Sequence, residues 1–338
     1  MLPFSRFITV LIGGLCIYLI FRITNKLFKN RNISLLAALL LASSLMFVQM
    51  SHFARVWVPQ VFFILLVFNH LAGMLEKEKL SLKDHIISGI LISCSFAVHT
   101  IGVIVYFSYL GLLLLRRRQE NITAIIKNKY FWLTNLIIIL SVPIIYLLNP
   151  YAFYNYGSYF AAVADQGVAT SGRSFHSLFG AAYYAQILFE YEPLLLLVFL
   201  LGVGVLYLQK RKVFYLLMSF IVSYYFFIGF IIGSDHSEPR YILPVIPFLA
   251  IISAYGIYKF IDSGRLNKKV KIIFVMIFLA GNLVMPVIWC AKIIKPATRL
   301  LAMDWIYKNI NSGDSIINFD PYLTLNENRL SIEDKQRF

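Results

Sequence analysis

Chemistry on a phosphate needs a fixed cation, and chemistry on a hydroxyl needs a carboxylate base. Arg240 is the first residue that could serve, in the string Asp235-His236-Ser237-Glu238-Pro239-Arg240-Tyr241, followed by Leu243-Pro244 and Pro247. Its planar guanidinium can grip a phosphate with paired hydrogen bonds. The same position equally suits a snorkelling or Glu-paired arginine at a helix end. His99 falls between two apolar runs, where an imidazole donates to a phosphate or caps a helix end. His52 and Arg55, in Ser51-His52-Phe53-Ala54-Arg55, occupy a very short connector that either anchors at an interface or meets a ligand. Arg173 and His176, in Ser171-Gly172-Arg173-Ser174-Phe175-His176, belong to a polar stretch able to close on a substrate or to stay a solvated loop. Asp165, Asp235 and Glu238 are the carboxylates placed where a general base can operate. Glu190 and Glu192 read instead as an interface boundary. No spacing among these groups identifies a reaction. P-loop, G-x-G-x-x-G, H-E-x-x-H and G-x-S-x-G patterns do not occur, so nucleotide hydrolysis, zinc proteolysis and serine hydrolysis have no support. Neither a metal nor a cofactor is expected. Cys16, Cys94 and Cys290 all lie in apolar runs and read as packing residues.

The elements that must carry these side chains are hydrophobic. Of the 338 residues, 59% are hydrophobic and only 14% charged, against roughly 25% charged in a soluble domain. Mean hydropathy is +0.75. Apolar runs approaching or reaching the ~20 residues that cross a bilayer recur along nearly the whole chain. Backbone amides find no water in lipid, and the runs do not alternate as barrel strands do, so the predicted class is an all-α polytopic membrane protein. About ten spans of this kind are placed, at residues 7–21, 33–50, 57–75, 86–98, 101–115, 130–148, 193–208, 213–232, 241–260 and 272–291.

The net charge of +15 would suggest a nucleic-acid partner in a soluble protein. Here it sits in every second connector: Arg22, Lys26, Lys29 and Arg31; Lys77, Lys79 and Lys83; Arg116 to Arg118 with Lys127 and Lys129; Lys210 to Lys212; and Lys259, Arg265, Lys268, Lys269 and Lys271. The intervening connectors hold only Arg6, Arg55, Arg173 and Arg240. The positive-inside rule puts the second set, and both termini, on the outer face of a plasma membrane, and no nucleic acid is expected as a partner. The stretch 86–115 could be one helix of roughly 45 Å. That would move Arg116 to the outer face, so a break is predicted at His99 and Thr100.

Two outer segments are long enough to hold structure. Residues 149–192 form a long loop whose stretch 177–190 suits a helix lying on the interface. From residue 296, the stretch 298–309 reads as an amphipathic helix, Ser312-Gly313 as a turn and 314–319 as a short strand. The domains expected are therefore a multi-span unit, 1–295, and the beginning of a soluble extracytoplasmic α/β domain, 296–338. About forty residues bury too little to be stable alone, so the chain is expected to continue, and an upstream span is expected as well.

Five segments in order resemble a known family. They are Phe28-Lys29-Asn30-Arg31-Asn32-Ile33-Ser34 running on to Ala42; Ser51-His52-Phe53-Ala54-Arg55; Tyr183-Tyr184; Arg240-Tyr241-Ile242-Leu243-Pro244-Val245-Ile246-Pro247; and Ala302-Met303-Asp304-Trp305-Ile306-Tyr307-Lys308-Asn309-Ile310. Together they resemble the GT-C polyprenyl-phosphate-sugar glycosyltransferases, above all glycosyltransferase family 39, which includes the protein mannosyltransferases and the aminoarabinose transferase of lipid A. The resemblance implies transfer of a mannose or similar hexose or pentose from a polyprenyl-phosphate carrier to a glycan, lipid or protein acceptor, by inverting displacement. It assigns Arg240 and His99 to the donor phosphate; Arg55, from its place on the short connector, is counted as a further phosphate candidate. The substrate loop would hold Arg173, His176, His52 and Tyr241. The family's catalytic aspartate lies on a first outer loop and is not among the residues given, which leaves Asp235 and Glu238 as weak candidates. A second acidic position of many relatives is Trp57 here. Reduced activity of the chain as written is therefore expected. The competing readings are an O-antigen or capsule polymerase, for which the long loop carries few basic residues, an inactive GT-C scaffold, and a transporter, for which internal repeats and midplane charges are missing.

Overall fold

The computed structural model describes residues 2–116, 125–147, 178–232, 238–264, 267–294 and 298–310. Among the described residues every regular element is helical. In chain order these are α1 (Leu2–Phe28), α2 (Arg31–Ala42), α3 (Leu45–Ser51), α4 (Trp57–Leu75), α5 (Leu82–Val98), α6 (Tyr106–Arg116), α7 (Lys129–Leu147), α8 (Leu178–Tyr191), α9 (Pro193–Gln209), α10 (Arg211–Phe226), α11 (Ile246–Asp262), α12 (Lys268–Ile293) and α13 (Thr298–Asn309). Tight 3₁₀ turns at Thr100–Val105 and Pro239–Val245 lead into α6 and α11, and α10 runs on as a π segment, Phe227–Ile232. Two compact units are present, Met1–Pro286 and Val287–Phe338. In the second, α13 coincides with the predicted amphipathic helix, whereas the predicted turn and strand lie outside the described residues.

The protein is a multi-pass membrane protein. Among the described residues six helical stretches are long and apolar enough to cross a membrane, and two bent pairs raise the count to eight. The 17-residue α5 and the stretch Thr100–Arg116 stand where the other two spans are predicted. The central helix is α11, whose apolar stretch, with its leading turn, is 83% buried, whereas that of α7 is 6% buried and presents its apolar side chains outward. A helix apolar all round must face either other helices or lipid, and these two mark the extremes. Close approach at the centre depends on small residues, as membrane helices require in the absence of a hydrophobic drive between them. A Cβ on Gly202 of α9 would stand 2.6 Å from the Ile252 carbonyl oxygen of α11. One on Gly256 would stand 2.8 Å from the Gly202 Cα. Around this contact Phe248 packs on Phe68 and Phe220, with ring centroids 4.4 and 4.7 Å apart.

Two breaks shape the upper end of the bundle. The first corrects the single span predicted over 33–50: α2 and α3 meet at 63°. Ser44 caps α3, its Oγ accepting from the Phe47 N–H at 3.2 Å and donating to Glu192 Oε1 at 2.6 Å. Glu192, which begins α9 where α8 and α9 bend by 112°, also accepts the Met46 N–H at 3.0 Å. From the other side Asn282 donates to Ser43 Oγ at 2.6 Å and to the Ser43 carbonyl at 3.2 Å. Glu192 is thus a buried acceptor rather than an interface residue. The second break falls where predicted: α5 stops at Val98, His99 is extended (φ −159°, ψ 134°), and the chain re-enters a helical turn at Thr100. Gly102 makes this possible, because a Cβ there would stand 2.2 Å from the Ser95 carbonyl oxygen.

Candidate functional site

Trp57 opens α4 and is almost fully buried. Three side chains from two other segments converge on its indole. The His99 ring, delivered by the break after α5, lies 4.8 Å away between centroids. Tyr241, on the turn Pro239–Val245, meets it edge-on at 4.9 Å. The Arg240 guanidinium sits over the same ring at 5.4 Å, a cation–π distance. Pro239 starts this turn and Pro244 keeps it from becoming an α-helix earlier, which fixes Arg240 and Tyr241 beside α4.

Arg240 is paired with Glu238: one guanidinium nitrogen donates to Oε1 at 2.5 Å and a second contacts Oε2. Its side chain is 25% exposed, yet its Nε is buried with no hydrogen-bond partner among the described residues. The Glu-paired arginine is therefore one of the two sequence readings that this geometry realises directly. His99 Nδ1 accepts the Ile101 N–H at 3.4 Å, so the neutral ring carries its proton on Nε2. Burial first, and the positive charge of Arg240 second, push the His99 pKa below its ordinary 6.5. The Arg240 charge disfavours a second cation at His99, and an anion placed between the two would favour protonation of the ring.

The remaining predicted residues divide. Tyr241 and Glu238 join Arg240 and His99 around Trp57. Arg55 is exposed on the α3–α4 connector, two residues before Trp57. His52 caps α3, its Nδ1 2.8 Å from the Val48 carbonyl. Asp165, Arg173, His176 and Asp235 lie outside the described residues. Sequence reasoning missed the platform itself, since Trp57 stood out only for replacing an acid. It also missed a buried polar layer one helical turn deeper, where Gln60 of α4 and Tyr224 of α10 sit with Tyr184 and Tyr241 within electrostatic reach. The one available signal was the single glutamine in the apolar run 57–67. At ~1.5 Å per residue, α4 holds this cluster roughly 28 Å from its other end, where Lys26, Lys29, Lys210 and Lys212 gather. The cluster and the lysines thus lie about one hydrocarbon thickness apart.

Residues 4–147 match the family model described as dolichyl-phosphate-mannose-protein mannosyltransferase. In architecture the chain is similar to ArnT from Cupriavidus metallidurans bound to undecaprenyl phosphate, with a TM-score of 0.56 at 16% identity over 91% of this chain and 52% of that one. The chain shares the fold of this membrane transferase. The apo state of the same ArnT gives a TM-score of 0.52 at 15% identity, over 78% of this chain and 45% of the other. No curated protein matches. The chain spans about half the length of the solved structures it matches. Its Trp57 cluster falls partly inside the family match, through Trp57 and His99, and partly beyond it, through Arg240 and Tyr241.

Proposed function

We propose that the protein is a lipid-linked glycosyltransferase, moving a hexose or pentose from a polyprenyl-phosphate carrier to an acceptor on the outer leaflet of the plasma membrane. The observation that carries this reading is the convergence of Arg240 and His99 on Trp57 at the end of the bundle opposite the lysine-rich connectors. In the step proposed, an acceptor oxygen attacks the anomeric carbon from the face opposite the phosphate. A carboxylate takes the acceptor proton, the anomeric carbon–oxygen bond breaks, and the carrier phosphate leaves with the electron pair. Arg240 supplies the fixed positive charge that the leaving phosphate needs, in a site already partly desolvated, and His99 supplies an N–H donor that the bound anion helps to charge. Glu238 holds Arg240 until the phosphate takes its place, so it competes with the donor and is a poor base while paired.

The test is transfer of labelled sugar from a polyprenyl-phosphate donor by the full-length gene product. Arg240→Ala is expected to lower transfer at least a hundredfold, and Glu238→Gln to tighten donor binding severalfold by removing the competing carboxylate. Unchanged transfer by Arg240→Ala removes this site from the reaction. The inactive-scaffold reading is favoured by Trp57 standing where many relatives carry an acid. Donor binding that depends on Arg240, with no transfer by the wild-type chain, decides for it.

A further inference from the structure

At the lysine-rich end of the first unit the helix termini enclose a cavity of about 500 Å³. It is bounded by the end of α1, the end of α4 and the connection from α9 to α10. Four lysines line it, Lys26, Lys29, Lys210 and Lys212, against one carboxylate, Glu76, over an apolar floor that includes the buried Ala72. Lys26 donates to the Asn69 carbonyl at 2.7 Å, leaving two of its three ammonium protons for other partners. Lys29 pairs with Glu76 at 3.1 Å across the rim. Among the described residues Lys210 and Lys212 have no acidic partner. Arg211 between them is turned away, over the Tyr207 ring at 5.3 Å.

Topology alone asks only that such connectors be cationic, which flexible solvated lysines satisfy. Two features exceed that demand. The lysines converge on a concave space within the size range of small-ligand sites. Lys29 is the one non-glycine residue among the described residues with positive φ, 53°, at a helix end where glycine is the usual choice. A side chain is thus kept where none is conformationally favoured. The ligand chemistry follows from the charge: several ammoniums around a small space suit a phosphate. A lipid source is favoured because α9, which ends just before Lys210, exposes Leu201 and Leu208 by 68% and 73% along its length. Those side chains provide a surface for acyl chains leading to the cavity, and basic pockets between membrane helices on the cytoplasmic side are where anionic headgroups bind.

We propose that this cavity binds the phosphate headgroup of an anionic phospholipid, at the opposite end of the bundle from Arg240 and independently of any transferase chemistry. The experiment is native mass spectrometry of the purified full-length protein in neutral detergent, titrated with phosphatidylglycerol, phosphatidylcholine or inorganic pyrophosphate. Phosphatidylglycerol adducts are expected to weaken at least tenfold in Lys26→Gln/Lys210→Gln/Lys212→Gln, with phosphatidylcholine binding unaffected. Since Lys26 also braces α4, the exposed pair Lys210→Gln/Lys212→Gln is measured beside it and is expected to weaken the adduct at least threefold with an unchanged melting temperature. Equal phosphatidylglycerol retention by wild type and both variants overturns the site. Lysine-dependent binding of pyrophosphate without binding of phosphatidylglycerol overturns the lipid assignment.

Discussion

The environment of His99 makes pH a direct probe of what it does. Its pKa is depressed by burial and by Arg240, so the ring is neutral when no anion is present at neutral pH. A phosphodiester donor carries one negative charge across this range and does not titrate with it. Binding between His99 and Arg240 would raise the His99 pKa, so binding takes up a proton wherever the pH lies between the depressed value and the raised one. Donor affinity is therefore expected to fall as pH rises from the depressed value, below 6.5, to the raised one, by at most about tenfold per pH unit. His99→Gln should flatten that slope while retaining part of the affinity through Arg240, and an undiminished slope in the variant assigns the proton elsewhere. For stability the sign is opposite in direction: a depressed histidine favours the folded state when neutral, so that contribution is lost as pH drops through the folded value, below 6.5. Glu192 offers a second residue-level test. It accepts from the Ser44 hydroxyl and the Met46 N–H in a fully enclosed position. Glu192→Ala leaves both donors buried and unsatisfied, a loss of about 2–4 kcal/mol. Glu192→Gln keeps a carbonyl acceptor and should recover part of it, as read by thermal unfolding in detergent.

At the scale of elements, what could be read from sequence depended on how local its causes were. The limits of α4 and α13, and the stop at Val98, follow from apolar run length, charge placement and the need to keep Arg116 with the other cations. The bend between α2 and α3 had no comparable signal. Ser43 and Ser44 look like tolerated serines in an apolar run, and their partners Glu192 and Asn282 lie 148 and 239 residues away. Likewise the residue types of the site were legible in Arg240, His99 and Tyr241, but Trp57 became their platform only through the tertiary meeting of α4, α5 and the Pro239–Val245 turn. That meeting depends on Gly102. An alanine there must displace the Ser95 carbonyl, 2.2 Å from the new methyl group, and overpacking of this kind costs about 1–3 kcal/mol. Gly102→Ala is expected to lower thermal stability by that amount and to weaken donor binding as much as His99→Gln does. Gly204→Ala, in α9 with nothing within 4 Å, is the matched control and should be neutral or slightly stabilising. Loss of stability with donor affinity intact would separate the turn from the site.

The whole molecule is organised by the contrast between its two ends. Trp57 and Leu75 bound a single helix of roughly 28 Å, so whatever compartment holds Arg240 and His99, the lysines of the opposite end must lie across the hydrocarbon from it. A carrier-lipid phosphate could reach the Trp57 cluster only from the interface at that end, while the lysine cavity would meet the other leaflet. Both proposals therefore stand on one topological fact. It can be checked with single cysteines in a background where Cys16, Cys94 and Cys290 are replaced by alanine or serine. Arg55→Cys reports on the Trp57 end, and Lys79→Cys and Lys212→Cys report on the other, all three being exposed positions. An impermeant maleimide added to intact cells is expected to modify Arg55→Cys and to leave Lys79→Cys and Lys212→Cys untouched until the membrane is opened. If Arg55→Cys and Lys79→Cys react from the same side, α4 does not cross the bilayer. If all three assignments are inverted, the helix crosses but Arg240 faces the cytoplasm, and transfer on the outer leaflet is excluded.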